Sequence, residues 1–186
     1  MKNIAFIVLV FLCSGCGSKL YRETPVGEFS GDLEVRWIAN DQFLFTPSRD
    51  NPLTFVRSNN QHVVPGVMMT DGGSVPRFLW GVKGLSPWGY APAYMIHDWV
   101  FKVNICDYES DHAYEFSDSV NIMAETLKTV MENDGETKSN TLFEAIVFAT
   151  STEIAERIWN SGTCDEPEHT PDYMNDPGEL IAVIRF

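Results

Sequence analysis

Positive charge is scarce in this chain. Thirteen Lys and Arg stand against 26 Asp and Glu, a formal net charge of −13. Nucleic-acid binding is driven by Lys and Arg neutralising phosphates, and no basic stripe interrupts the acidity. DNA and RNA are therefore excluded as partners, and anionic headgroups are repelled in the same way. The acidic balance suits divalent cations and plain solubility equally. Long apolar runs are missing too. The run from Ile4 to Leu12 falls well short of the ~20 residues a membrane-spanning helix needs. Cysteine is limited to four residues, and no Cys and His spacing suggests zinc. Internal repeats and low-complexity tracts are absent. What remains is 186 residues with 44% hydrophobic and 12% aromatic content, enough for one folded domain with a real core.

Lys2, the run Ile4–Leu12 and the small residues before Cys16 form a basic start, a short apolar stretch and a processing point, the pattern of a secretory signal peptide. Ser14-Gly15-Cys16 resembles the lipobox of bacterial lipoproteins, although Cys13 stands where Leu is usual and Leu12 comes one place early. The resemblance implies removal of residues 1–15, lipidation of Cys16, and an exported protein anchored at the cell membrane or outer membrane, facing the periplasm. Gly17, rather than Asp, follows the lipid site, so by the same analogy inner-membrane retention is not signalled. Removing residues 1–15 takes away Lys2 and no acid, which moves the charge from −13 to −14. The competing readings are a plain secreted protein cut nearby, or a short buried N-terminal strand. Cys106 and Cys164 can pair in an oxidising compartment. They can equally be two free buried thiols, since sequence does not show whether their Cα atoms approach.

Residues 16–31, with Ser18, Thr24, Pro25, Gly27, Ser30 and Gly31, read as a tether. Leu33, Val35 and Trp37 alternate with Glu34 and Arg36, the period of a half-buried strand. Phe43–Phe45, Leu53–Val56, His62–Val64 and Val67–Met69 continue a small antiparallel sheet. After Gly72-Gly73 the character changes. Tyr90–Asn104 reads as a helix, and Glu109–Glu132 as a second with Phe116, Val120, Met123, Leu127 and Val130 on one stripe. A third runs to about Asn160 from a capping box at Thr141–Glu144, with Phe143, Ile146, Val147, Ile154 and Ile158 facing inward. Strands first and helices after predict an α+β fold, a small antiparallel sheet followed by a three-helix region. The single domain spans 32–164. An acidic tail, 165–186, ends in Ile181–Phe186, which can return as an edge strand.

Two segments concentrate polar chemistry. Thr70-Asp71-Gly72-Gly73-Ser74-Val75-Pro76-Arg77 puts an acid and two glycines at a strand end, where backbone groups can face a ligand; an ordinary strand-to-helix loop has the same composition. His97, in Ile96-His97-Asp98-Trp99, sits on an apolar helical stripe with Ala93, Val100 and Phe101. A buried ring must find a partner there, because an unsatisfied polar group costs about 1–3 kcal/mol. Asp98 lies about 100° round the helix from it and is not placed to be that partner; its simplest role is an i,i+4 pair with Lys102. Asp118 lies opposite the Phe116–Leu127 stripe and shares its side with Asp111 and Glu125. That side reads as a solvated acidic face, or as a second contact in which Asp118 accepts from the His97 ring.

Together Val64-Pro65-Gly66-Val67, Thr70–Trp80, Tyr90-Ala91-Pro92-Ala93, His97-Asp98-Trp99-Val100-Phe101 and Ser117-Asp118 resemble a domain-of-unknown-function family of phages, prophages and bacteria. Its members carry a TD-x-ASVPR loop, an HDWLY-like helix and an AD-containing helix. Phe101 replaces the Tyr common in that family. The resemblance implies a phage or prophage origin and a shared site built from Asp71, His97, Asp98 and Asp118. It brings no settled activity. A distant likeness to secreted phospholipase A2 implies one enzyme reading, a phospholipid or cell-wall hydrolase. In it His97 is general base, Asp118 orients the ring, and Ca²⁺ is held by Asp98 with Asp71 and the carbonyls of Gly72 and Gly73. The other reading is a non-catalytic envelope lipoprotein, a lysis accessory or superinfection-exclusion factor, partnered by an envelope protein.

Overall fold

The structure is a computed structural model and describes residues 19–39, 42–70, 90–108, 113–134, 138–164 and 178–186. Residues 19–23 are helical. The strands are β1 (Glu28–Ser30), β2 (Asp32–Ala39), β3 (Gln42–Pro47), β4 (Thr54–Val56), β5 (His62–Val63), β6 (Met68–Thr70) and β7 (Glu179–Arg185). The helices are α1 (Ala91–Ile105), α2 (Phe116–Asp134), α3 (Asn140–Thr150) and α4 (Glu153–Ser161). Six strands come before the four long helices and β7 after them, antiparallel strands kept apart from helices, which makes the fold α+β as the pattern predicts.

The strands divide between two antiparallel sheets rather than one. A three-stranded sheet has the order β1-β4-β5, and a four-stranded sheet the order β6-β3-β2-β7. The break falls where Gly31 turns β1 away from β2 with φ of +91°. A Cβ at Gly31 would lie 2.2 Å from the Pro52 carbonyl oxygen, so only glycine fits the turn. In β2 the alternation is realised as expected: Leu33 and Val35 are buried and stand opposite Pro47 and Phe45 of β3. The C-terminal segment does return as an edge strand. β7 pairs with β2, with a register shift between Val35 and Arg36.

Two apolar clusters form the core. One packs Phe29, Leu33, Val35 and Phe55 of the sheets against Met95, Ile96 and Val100 of α1, Ile122 of α2 and Trp159 of α4. The other lies among α1, α2 and α3 and includes Tyr90, Tyr94, Met123, Leu127 and Phe143. Tyr21 belongs to it as well, its ring edge-on to Phe143 at 5.0 Å. The stretch read as a tether is therefore part of the folded body from residue 19 onward. Tyr21 donates to Glu132, Lys128 donates to the Thr24 carbonyl, and the Gly27 N–H donates to Thr129 Oγ1. A tether would leave these groups to water; here α2 holds them.

Two helix boundaries differ from expectation. The second helix begins at Phe116, not Glu109; residues 109–112 lie outside the described residues. The third is two helices. Ser139, not Thr141, caps α3, its Oγ accepting from the Leu142 N–H at 3.3 Å. The Ser151 N–H bonds back to Phe148 and Val147, and Thr152 caps α4 by accepting from Ala155. Adjacent Ser and Thr offer the backbone local partners that compete with helix continuation. The break resets the phase of the apolar stripe. Trp159 is buried, while Ile154 and Ile158 face outward, 67% and 50% exposed.

Candidate functional site

Tyr90 stands at the N-cap of α1, and Pro92 is among the helix's first residues, where a missing N–H costs nothing. It lies between the two core clusters, so most of its circumference is apolar and enclosed. His97 sits inside, 8% exposed. Its Nδ1 lies 3.2 Å from the backbone carbonyl oxygen of Ser119 on α2. A carbonyl only accepts, so Nδ1 carries the proton, and in the neutral ring Nε2 holds the lone pair. Burial lowers the pKa of the ring from the ordinary 6.5 to about 4, against a smaller opposing effect of the Ser119 bond. The ring is neutral at pH 7. Phe101 packs between His97 (4.9 Å) and Trp159 (5.0 Å). The site is lined there by aromatic carbon.

Asp118 does not orient His97. Its Oδ2 accepts the backbone N–H of Glu115 at 3.0 Å, so it closes the first turn of α2 as the carboxylate of a capping box does. The physical reason is position. In the first helical turn the unpaired N–H groups are the nearest donors, and Ser119, one residue further, turns its carbonyl toward the ring instead. Asp98 is half-buried on α1. With Tyr90, it raises the pKa of Tyr94, whose largest cause is burial. The Tyr94 hydroxyl is buried with no hydrogen-bond partner among the described residues. Asp71, Gly72 and Gly73 lie outside the described residues, as does Cys16. Among the described residues no group of three or more His, Cys, Asp or Glu is placed to hold a metal ion. Cys106, at the end of α1, and Cys164, after α4, are joined in a disulfide with Cα atoms 4.9 Å apart.

The matched motifs also explain one another locally. Gly66 carries the Trp99 ring: a Cβ there would fall 2.6 Å from it. Trp99 in turn stacks on Tyr108 at 5.7 Å between ring centres. The Val64–Val67 and His97–Phe101 motifs are thus two sides of one contact.

A family model described as "Protein of unknown function (DUF1353)" matches residues 50–144, just over half of the chain. The chain belongs to the DUF1353 family. No curated protein and no solved structure matches it. The DUF1353 span takes in β4, β5, β6, α1, α2 and the start of α3; β1–β3, α4 and β7 lie outside it.

Within that span sequence reasoning missed the most buried charge. Glu125, taken for part of a solvated acidic face, is 1% exposed. Its Oε2 accepts from Arg57 Nε at 2.9 Å and its Oε1 from the Ser58 N–H. Arg57 also donates to Gln61 at 2.7 Å. Lys128, Thr126 and Thr129 are buried on the same helix. From Ile122 to Thr129 every residue of α2 is buried, so the polar side chains there need partners, which residue types alone do not reveal.

Proposed function

We propose that this DUF1353 chain is an exported envelope lipoprotein of phage or prophage origin that works by binding rather than by catalysis. Lysis accessory and superinfection exclusion are the roles that fit such a protein. The observation that carries the reading is the disulfide between Cys106 and Cys164 behind a start that ends in Ser14-Gly15-Cys16; structural disulfides belong to oxidising compartments. Tyr21, five positions after Cys16, already belongs to the core, so a lipid on Cys16 would hold the body against the membrane. Among the described residues no helix is long and apolar enough to cross a membrane.

The state of His97 supports binding over hydrolysis. A general base works best with a pKa near the operating pH, whereas His97 sits at about 4, packed against the Phe101 ring, and among the described residues its recorded partner is a backbone carbonyl rather than a carboxylate. Its bond to Ser119 makes it a bolt between α1 and α2. The hydrolase alternative uses the same His97 with Asp98 on Ca²⁺.

Metabolic labelling with radioactive palmitate in a bacterial host tests the anchor. Label retained by the wild type and lost in Cys16→Ser, with both forms disulfide-bonded on non-reducing gels, is the expected result. Unlabelled wild-type protein with reduced cysteines would remove the reading. Calorimetric Ca²⁺ titration of the wild type against Asp98→Asn tests the alternative; heat of binding present only in the wild type would favour it.

A further inference from the structure

The fastenings of α4 gather at its C-terminal end. Within Glu153–Ser161, Trp159 is the buried residue. Its ring stands edge-on to Phe101 of α1 at 5.0 Å and tilted against Phe116 of α2 at 6.2 Å, so the indole fills a gap between α1 and the first turn of α2. Phe101 in turn packs on His97 at 4.9 Å. Beside the indole the ends of α1 and α4 are stitched together. Asn104 donates to the Trp159 carbonyl at 2.8 Å. Gly162 lies so close to Ile105 that a Cβ there would fall 2.7 Å from its Cδ1. The Cys106–Cys164 disulfide completes the seam.

Without the disulfide this seam is thin. The nine residues of α4 are fewer than the ~12–15 at which an isolated helix becomes even marginal in water. One indole and a hydrogen bond from the exposed Asn104 side chain are what remain, and few buried apolar contacts mark a segment that opens locally. At its other end α4 meets α3 at the Ser151-Thr152 break, where each helix has its own cap. Such a junction can absorb a change of backbone angle as a hinge does. The disulfide itself is open to solution. Cys164 is exposed and Cys106 half-buried, and exposed disulfides are the labile, regulatory ones.

We infer that α4 is a thiol-opened lid: the Cys106–Cys164 disulfide latches it shut with Trp159 in the gap, and exchange with a dithiol releases it, baring Phe101 and Phe116 beside His97. A thiolate of the dithiol attacks Sγ of Cys164. The S–S bond breaks, and Cys106 leaves as a thiolate that takes up a proton. The second thiol of the dithiol then displaces Cys164 from the mixed disulfide. The dithiol ends as a disulfide, oxidised by two electrons, and both cysteines end as thiols. β7 stays paired with β2, so the chain beyond the lid remains attached while α4 swings. In an oxidising compartment the bond persists, which makes the closed lid the resting state. The inference needs neither the lipid anchor nor any part for His97 as a base.

Hydrogen–deuterium exchange of the full chain, read by mass spectrometry with and without dithiothreitol, tests it. On reduction the amides of α4 should exchange at least about tenfold faster, while those from Ile122 to Thr129 of α2 change by less than about twofold. Anilinonaphthalene sulfonate, a dye that lights up on exposed apolar surface, should gain fluorescence over the same titration. Cys106→Ser with Cys164→Ser should show the fast exchange from the start and not respond to dithiothreitol. Exchange in α4 that reduction leaves unmoved overturns the lid. Equal acceleration in α1, α2 and α4 overturns it as well, because the disulfide then staples the whole fold rather than one helix. A response of the double-serine variant to dithiothreitol places the effect at another cysteine and has the same force.

Discussion

The buried ring of His97 gives this fold one definite pH response. His97 is neutral in the folded chain down to about pH 4, whereas an unfolded histidine takes up a proton near 6.5. Between those values the unfolded state binds more protons, so stability falls as pH falls from 6.5 to 4, then stays level with respect to this group. At 1.36 kcal/mol per pH unit the loss approaches about 3 kcal/mol. His97→Gln keeps an N–H for the Ser119 carbonyl and has nothing to titrate. Urea titrations at pH 7 and pH 4.5 should show the gap between the two proteins narrowing or reversing toward low pH; a constant gap would mean the ring is not held neutral. Asp118 gives a second residue-scale outcome. As a helix cap, Asp118→Ala should cost about 1 kcal/mol and leave the His97 titration, followed by NMR, in place. A shift in that titration would restore Asp118 as a partner of the ring. Sequence alone showed that His97 lies on an apolar face and needs a partner. It did not show which one, because a backbone carbonyl supplied by another helix leaves no mark in residue type.

α2 shows why some elements were legible and others were not. Its stripe of Met123 and Leu127 is buried as its spacing predicts. The opposite face was read as solvated because acids and hydroxyls usually are, and burial of Glu125 depends on Arg57, 68 positions away. Removing one partner of such a pair leaves an uncompensated charge. Arg57→Met is expected to destabilise by about 3–5 kcal/mol, and Arg57→Met with Glu125→Leu by much less; a double-variant loss equal to the sum of the two single losses would show that the pair is not coupled. α4 is the converse case. Its cap was hidden inside what read as one helix, and two residues, Ser151 and Thr152, were enough to turn Ile154 and Ile158 outward. The disulfide that fixes its end closes a loop with a sequence separation of 58, so Cys106→Ser with Cys164→Ser should lower stability by about 4 kcal/mol in the chain-entropy model. Melting with and without reductant measures it directly.

At the scale of the whole molecule, the order of strands and helices gave the α+β class, because binary patterning is written in the sequence. The division into two sheets was not, since it hangs on the positive φ of Gly31 and on a pairing between residues far apart. The same long reach joins the chain's beginning to its end: the Phe186 N–H donates to the Gly31 carbonyl, and Phe29 stacks on Phe186 at 5.0 Å. Deleting residues 19–27 should therefore unfold the protein rather than free it, with near-ultraviolet dichroism lost along with the Tyr21 and Thr24 contacts. β2 is an inner strand only because β7 covers its second edge. Without that pairing one row of its backbone N–H and C=O groups would be bare, a template for another chain. The edge of the larger sheet is thus guarded by a segment more than 140 positions from the strand it covers, and whatever loosens β7 exposes β2 to wrong pairing.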